Sequence, residues 1–152
     1  VMGYSYRSDF KNMGNRIIGE LRTNMALTTG DGNVAIRRSS DGHFRLTATV
    51  DGKPVRFLVD TGASLVAFSP GDARAIGFDT DRLQYGLRIQ TANGTAWSAA
   101  VSLAEISVGT IRARNVRAAV SQSGLSESLL GLAFLNRLSG YEVRGDTMIL
   151  KP

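Results

Sequence analysis

At 152 residues, 43% hydrophobic and 20% charged, the chain has the size and composition of one globular domain with one core, and no run of eighteen apolar residues is present to cross a membrane as a helix. Cysteine is absent, which excludes disulfides, a thiol nucleophile and Cys-ligated metals. The net charge of +5 is scattered, with six basic and three acidic side chains in residues 1–40 and twelve and ten in the remainder; without a block of like charge it describes a solvated face, not a nucleic-acid binder.

The chain opens at Val1 instead of Met, so a signal peptide or anchor is expected upstream of it in the natural product. From Ser8 to Leu27, the apolar residues Phe10, Met13, Ile17, Ile18, Leu21 and Met25 recur near helical spacing, with Arg7, Lys11, Arg16 and Arg22 on other faces. That pattern predicts an amphipathic helix. The polar, turn-forming run from Thr28 to Asn33 predicts a linker, and the compact domain is expected to begin by Asp41-Gly42.

Beyond this point the pattern is that of short strands. Phe44, Leu46, Ala48 and Val50 alternate with polar residues, Asp51-Gly52 makes a hairpin turn, and Val55–Val59 returns as the second strand, ending at Asp60. Further strands are predicted over Leu65–Phe68, Leu87–Thr91, Ala96–Leu103, Ile106–Val108, Ile111–Val120, Tyr141–Arg144 and Thr147–Leu150. Ser69-Pro70 supplies an N-cap and an N1 proline for a short helix closed by Gly77, and Ala133–Leu138 is a second short helix. Ser121–Ser128 is polar and reads as a loop.

One carboxylate stands out. Phe57-Leu58-Val59-Asp60-Thr61-Gly62-Ala63-Ser64 puts an Asp where an apolar strand breaks into a turn of small residues, with Leu65 and Val66 just beyond. Burial there raises a carboxyl pKa unless hydrogen bonds compensate, and Thr61, Gly62 and Ser64 are the available donors. His43, the single histidine, makes neither a metal site nor a triad by itself, and no metal or other cofactor is implied. Trp97 fits a core, flap-packing or pocket role equally well.

The apolar-apolar-Asp60-Thr61-Gly62-Ala63-Ser64 segment resembles the active-site signature of aspartic proteases, and Leu129-Leu130-Gly131, about seventy residues on, resembles the apolar-apolar-Gly element packed beside that loop. Together with Gly42-His43-Phe44, Thr91-Ala92-Asn93-Gly94 and Leu129–Leu135, the match is closest to the bacterial retropepsin-like (clan AA) group, over residues 42–152. The resemblance implies a mainly β, closed barrel-like single acid-protease lobe with short helices, preceded over residues 1–41 by a juxtamembrane-like helical segment and linker. It implies an aspartic endopeptidase acting on protein or peptide substrates without a cofactor, tethered through an N-terminal anchor outside this chain, on the periplasmic side of the inner membrane.

The chemistry needs two facing carboxylates that share a proton, and this chain carries one Asp-Thr-Gly. Activity therefore requires a homodimer with an Asp60 pair at its axis, titrating as a coupled unit with an acidic optimum. By the same resemblance Thr61 bonds across the axis, Gly62 admits the substrate, Ala63 completes the loop and Ser64 bonds the carboxylate. Ala92, Asn93 and Gly94 form the tip of a flap, and Leu130 and Gly131 form the second loop element. Retroviral members follow this glycine with Arg-Asp or Arg-Asn, whereas Gly131 precedes Leu132-Ala133, which implies a dimer interface built differently or weak. Two other readings stand beside this one. The domain is a catalytically weak dimerisation or peptide-binding module, or the N-terminal helix occludes the cleft until self-cleavage removes it.

Overall fold

The computed structural model describes residues 26–91 and 94–152. In chain order these form β1 (Ala26–Thr28), β2 (Val34–Arg37), β3 (Arg45–Val50), β4 (Lys53–Val59), β5 (Val66–Phe68), α1 (Pro70–Ala75), β6 (Leu87–Thr91), β7 (Gly94–Val108), β8 (Ile111–Ser121), β9 (Ser128–Leu130), α2 (Leu132–Leu135), β10 (Gly140–Arg144) and β11 (Thr147–Lys151). Six strands close on themselves in the order β3-β4-β9-β5-β8-β7, the ring being completed where Thr49 and Val50 of β3 face Ser107 and Ile106 of β7. Closure leaves the barrel no edge. The result is the mainly β, closed single lobe with short helices that the resemblance implied.

Local chemistry explains the elements that were legible. Asp51 and Gly52 both take positive φ, 48° and 87°, the turn geometry that matches the twist of the β3–β4 hairpin. Ser69 caps α1 by accepting the Asp72 amide at 3.2 Å, Pro70 occupies its first turn, and Gly77 follows its end at φ 106°. The barrel is filled from alternate strand positions. Phe57, Phe68 and Phe134 are fully buried, with the Phe57 and Phe68 ring centroids 5.7 Å apart. Each such side chain contributes about 1.5–3 kcal/mol through burial.

Three differences from the sequence expectations have physical causes, and one expectation lies almost wholly beyond what is described. The helix expected over Ser8–Leu27 falls outside the described residues, save for Ala26 and Leu27, which lie in β1. The turn residues Thr28–Asn33 close a hairpin instead of forming a linker, because Val34, Ala35 and Ile36 are buried against β11, a partner more than a hundred residues away. The compact fold thus reaches back to Ala26. β7 is a single fifteen-residue strand where two were expected; Glu105 interrupts the apolar alternation but still pairs with Arg114 in the ladder. Finally, β9 occupies Ser128–Leu130, where a loop was expected to end, because its partners Phe57–Val59 and Ala67 bury it completely.

The second sheet runs β1-β2-β11-β10. β6 pairs with residues Gly94–Ser98 of β7, whereas β8 takes up β7 only from Ser98 onward, so the β6–β7 hairpin extends past the β7–β8 ladder as a two-stranded arm.

Candidate active site

The site is made by the way β4, β9 and β5 cross. β4 and β9 run parallel, with Val59 beside Leu130, and β5 runs antiparallel to β9, with Ala67 beside Leu129. β9 therefore lies between two strands that are consecutive in sequence. The connection from Asp60 to Leu65 must arch over the end of β9 at Leu130-Gly131.

Gly131 is the residue that permits the crossing. A Cβ there would stand 2.3 Å from the Leu65 carbonyl oxygen and 2.4 Å from that of Ala63, distances no side chain tolerates. Its φ of −100° is open to any residue, so the requirement is one of space alone. The arch is then bonded down on both sides. The Asp60 amide donates to the Leu130 carbonyl at 3.1 Å, and the amides of Leu132 and Ala133 donate to the Ala63 and Ser64 carbonyls, each at 2.9 Å. Those two amides open α2, so the loop satisfies donors that a helix start leaves without intrahelical partners.

Within the arch, the Gly62 amide donates to the Asp60 Oδ1 at 2.8 Å and the Ala63 amide donates to the Asp60 carbonyl at 3.2 Å. Asp60 is half-buried, Ala63 is fully buried, and Thr61, Gly62 and Ser64 are exposed. Of the three expected donors, only Gly62 reaches the carboxylate among the described residues. The Ser64 hydroxyl does not, because the loop turns the Ser64 backbone toward Ala133. The expected burial of Asp60 is also only partial in one chain: a single lobe leaves the carboxylate and the Thr61 side chain at its surface.

Leu130 and Gly131 lie beneath the loop, Leu130 accepting the Asp60 amide and Gly131 packed against the Ala63 and Leu65 carbonyls. Of the flap residues, Gly94 is exposed with φ 108° and pairs with Thr91 across the end of the β6–β7 arm, while Ala92 and Asn93 lie outside the described residues. Trp97 is 52% exposed at the root of the arm, its carbonyl accepting the Gln122 amide at 2.9 Å and the Arg88 guanidinium lying 5.7 Å from its ring. It is no core residue. Next to the loop, a depression of about 390 Å³ is bounded by Ser64, Leu65, Leu132 and Ala133 together with Arg117 and Arg137.

Two supports escaped the sequence reading. Ser128, fully buried at the start of β9, donates to the Asp72 carboxylate at 2.5 Å and accepts the Ser69 amide at 3.1 Å, tying α1 to the strand under the loop. Arg45, whose side chain is 11% exposed, chelates Asp41 at 2.8 and 2.6 Å and Glu127 at 2.7 and 3.1 Å. The guanidinium hydrogen bonds hold both carboxyls below their ordinary range, and the carboxylates in turn raise the arginine. Glu127 sits 82 residues from Arg45, and no local pattern could have signalled the pair.

The family model described as "gag-polyprotein putative aspartyl protease" matches residues 46–137. An uncharacterized protein from the cobV 5′ region of Sinorhizobium sp is 42% identical over 99% of this chain, and an uncharacterized protein of Rickettsia prowazekii (strain Madrid E) is 35% identical over the same share. The chain spans 67% and 64% of their respective lengths. Among solved structures, a retropepsin-like aspartic protease from Rickettsia conorii superposes with a TM-score of 0.71 at 37% identity, covering 78% of this chain and 89% of that one. EIAV protease, solved with an inhibitor, superposes at 0.56 with 16% identity over 72% of this chain and all of its own, a likeness of fold.

Proposed function

Because this chain belongs to the retropepsin-like aspartic protease family, we propose that it is an aspartic endopeptidase whose active centre is a pair of Asp60 carboxylates brought together by two copies. The observation that carries this reading is the arch itself: a single half-exposed carboxylate, held by the Gly62 amide on a loop pinned to β9 and α2, with an exposed threonine beside it. Rigid placement of that kind is costly to build for a turn residue and useful for a reacting group.

In the dimer one Asp60 accepts a proton from a water as general base, the water oxygen attacks the peptide carbonyl carbon, and the protonated Asp60 of the other copy donates to the carbonyl oxygen. Breakdown of the tetrahedral intermediate delivers a proton to the departing amine. Thr61 bonds across the axis, Gly62 lets the backbone approach the substrate, the buried Ala63 supports the loop from beneath, and Ser64 follows at the loop's outer end. The β6–β7 arm, with Ala92, Asn93 and Gly94 at its tip, closes over an extended substrate and binds it by strand addition. Resemblance to anchored bacterial members supports a domain held by an N-terminal anchor on the periplasmic side of the inner membrane; protection from added protease in spheroplasts would argue against that placement.

The test is cleavage of an unfolded protein from weakly acidic to neutral pH by wild type and Asp60→Ala. Turnover that vanishes in the variant and rises more steeply than linearly with protein concentration supports the reading. A dimer that binds peptide without turnover, with binding indifferent to Asp60→Asn, would favour the peptide-binding module.

A further inference from the structure

Beside the Asp60 loop, the outer face of β8 carries an arginine with no acid to neutralise it. Arg112 and Arg114 share Glu105, each at 3.8 Å, whereas the exposed Arg117 side chain makes no hydrogen bond or ion pair among the described residues. The parallel register of β5 on β8, with Val66 beside Ala118, sets Leu65 level with Arg117. Arg117 therefore stands where the arch over β9 ends, five residues along the chain from Asp60.

A second arginine borders the same depression and is held still. Arg137, two residues past the end of α2, donates through its two terminal nitrogens to the carbonyls of Arg114 and Asn115 at 2.9 and 2.8 Å. Both acceptors are neutral, so the bonds fix the guanidinium without cancelling its charge, and they use two of the five N–H groups an arginine offers. The part-buried Leu65, Leu132 and Ala133, with Asn136, complete the lining of this space of about 390 Å³. An apolar bed bounded by two arginines suits a carboxylate carried on a short aliphatic stem, since the planar guanidinium matches a carboxylate in charge and in hydrogen-bond geometry.

We propose that this depression takes an acidic side chain of the substrate, an Asp or Glu a few residues from the scissile bond, with Arg117 and Arg137 as its specificity-determining residues. The inference rests on the aspartic protease reading above. The reach follows from the chain: Asp60 and Leu65 are at most about 18 Å apart, and an extended peptide advances about 3.3 Å per residue, so the acid lies within about five residues of the cut. Ser64 and Leu65 belong both to the arch and to the depression, and the Ser64 carbonyl accepts the Ala133 amide at 2.9 Å, so one set of bonds holds the acid's site in step with Asp60. In a two-fold dimer the second copy supplies the same depression at the other end of the peptide, and acids are read on both sides of the scissile bond. A contact this far from the reacting atoms holds substrate and transition state alike, so it acts on KM and leaves kcat in place.

Cleavage-site profiling of a proteome-derived peptide mixture by mass spectrometry, at about pH 6 where Asp and Glu are ionised, reads this directly. Wild type is expected to enrich Asp and Glu within about five residues of the cut, and Arg117→Glu, at an exposed position, should turn that preference toward Lys and Arg. For a single peptide taken from the mixture, replacing its acidic Glu by Gln should raise KM about tenfold with wild type at unchanged kcat, and change it little with Arg117→Gln. The difference between the two peptides should shrink as sodium chloride is raised toward about 1 M. Circular dichroism checks that the variants fold. Asp60-dependent cleavage without acidic enrichment, or with enrichment unchanged in Arg117→Glu, overturns the acid-binding depression and leaves the Asp60 reading standing. No Asp60-dependent cleavage anywhere in the mixture overturns both.

Discussion

Adding one methyl group at Gly131 should shift the Asp60 loop without touching Asp60. The Cβ of Gly131→Ala would lie 2.3 and 2.4 Å from the carbonyl oxygens of Leu65 and Ala63, and both are backbone atoms that cannot rotate away. An ordinary C···O approach is about 3.3 Å, so the arch must lift by about 0.9 Å. Overpacking of this kind costs about 1–3 kcal/mol. The bonds from the Leu132 and Ala133 amides to the loop weaken as it lifts, at about 0.5–1.5 kcal/mol each. Alanine recovers about 0.4–1 kcal/mol by restricting the unfolded chain, and a φ of −100° adds no strain. The net destabilisation is about 2–4 kcal/mol, a fall of roughly 5–15 °C in Tm for a domain of this length. A reacting group displaced by about 1 Å loses about 100-fold in turnover. Urea denaturation at constant m-value measures the first effect, and kcat per folded molecule measures the second. An alanine variant within about 0.5 kcal/mol of wild type, or one that is destabilised yet turns over normally, would refute the crossing argument.

Other expectations follow from the contacts around the loop. Ser128→Ala removes a buried hydroxyl from the Asp72 carboxylate and leaves the Ser69 amide without its acceptor, so stability should fall by about 1–3 kcal/mol in urea denaturation. The Thr61 side chain is exposed and makes no hydrogen bond among the described residues, so Thr61→Ala should leave the Tm of the dilute chain unchanged while weakening dimerisation roughly ten- to a hundredfold in sedimentation experiments. Asp41 and Glu127 have carboxyls lowered by the Arg45 hydrogen bonds; their contribution is complete above the ordinary carboxyl range, declines progressively once the pH drops below that range, and is gone below the lowered folded values. Arg45→Met should therefore lower the urea midpoint more at pH 7 than at pH 3, and an equal loss at both would contradict the assignment.

Signals confined to a few neighbouring residues were readable before the fold was known. The Asp51-Gly52 turn, the capped α1 and the Asp60–Ser64 motif each depend on local chemistry, and each lies where it was read. What was not readable depends on contacts between distant segments. Val34–Ile36 becomes a strand only because β11 covers it, and Ser128 and Arg45 acquire their roles from partners 56 and 82 residues away. Ser64 shows the same limit inside the motif. Its sequence position suggested a bond to the carboxylate, but in one chain its side chain is exposed and its carbonyl accepts the Ala133 amide of α2. Thr61 is exposed and Asp60 part-exposed in one chain, and that is the feature the proposed dimer is meant to account for.

The dyad itself is tested by mixing. Wild type and the inactive Asp60→Asn variant, combined at fixed total concentration and allowed to exchange, should cleave a peptide in proportion to the square of the wild-type fraction, because one asparagine disables a shared centre. Cleavage that instead declines linearly with that fraction would show each copy working alone, and the account of Asp60 as half of an active site would be wrong.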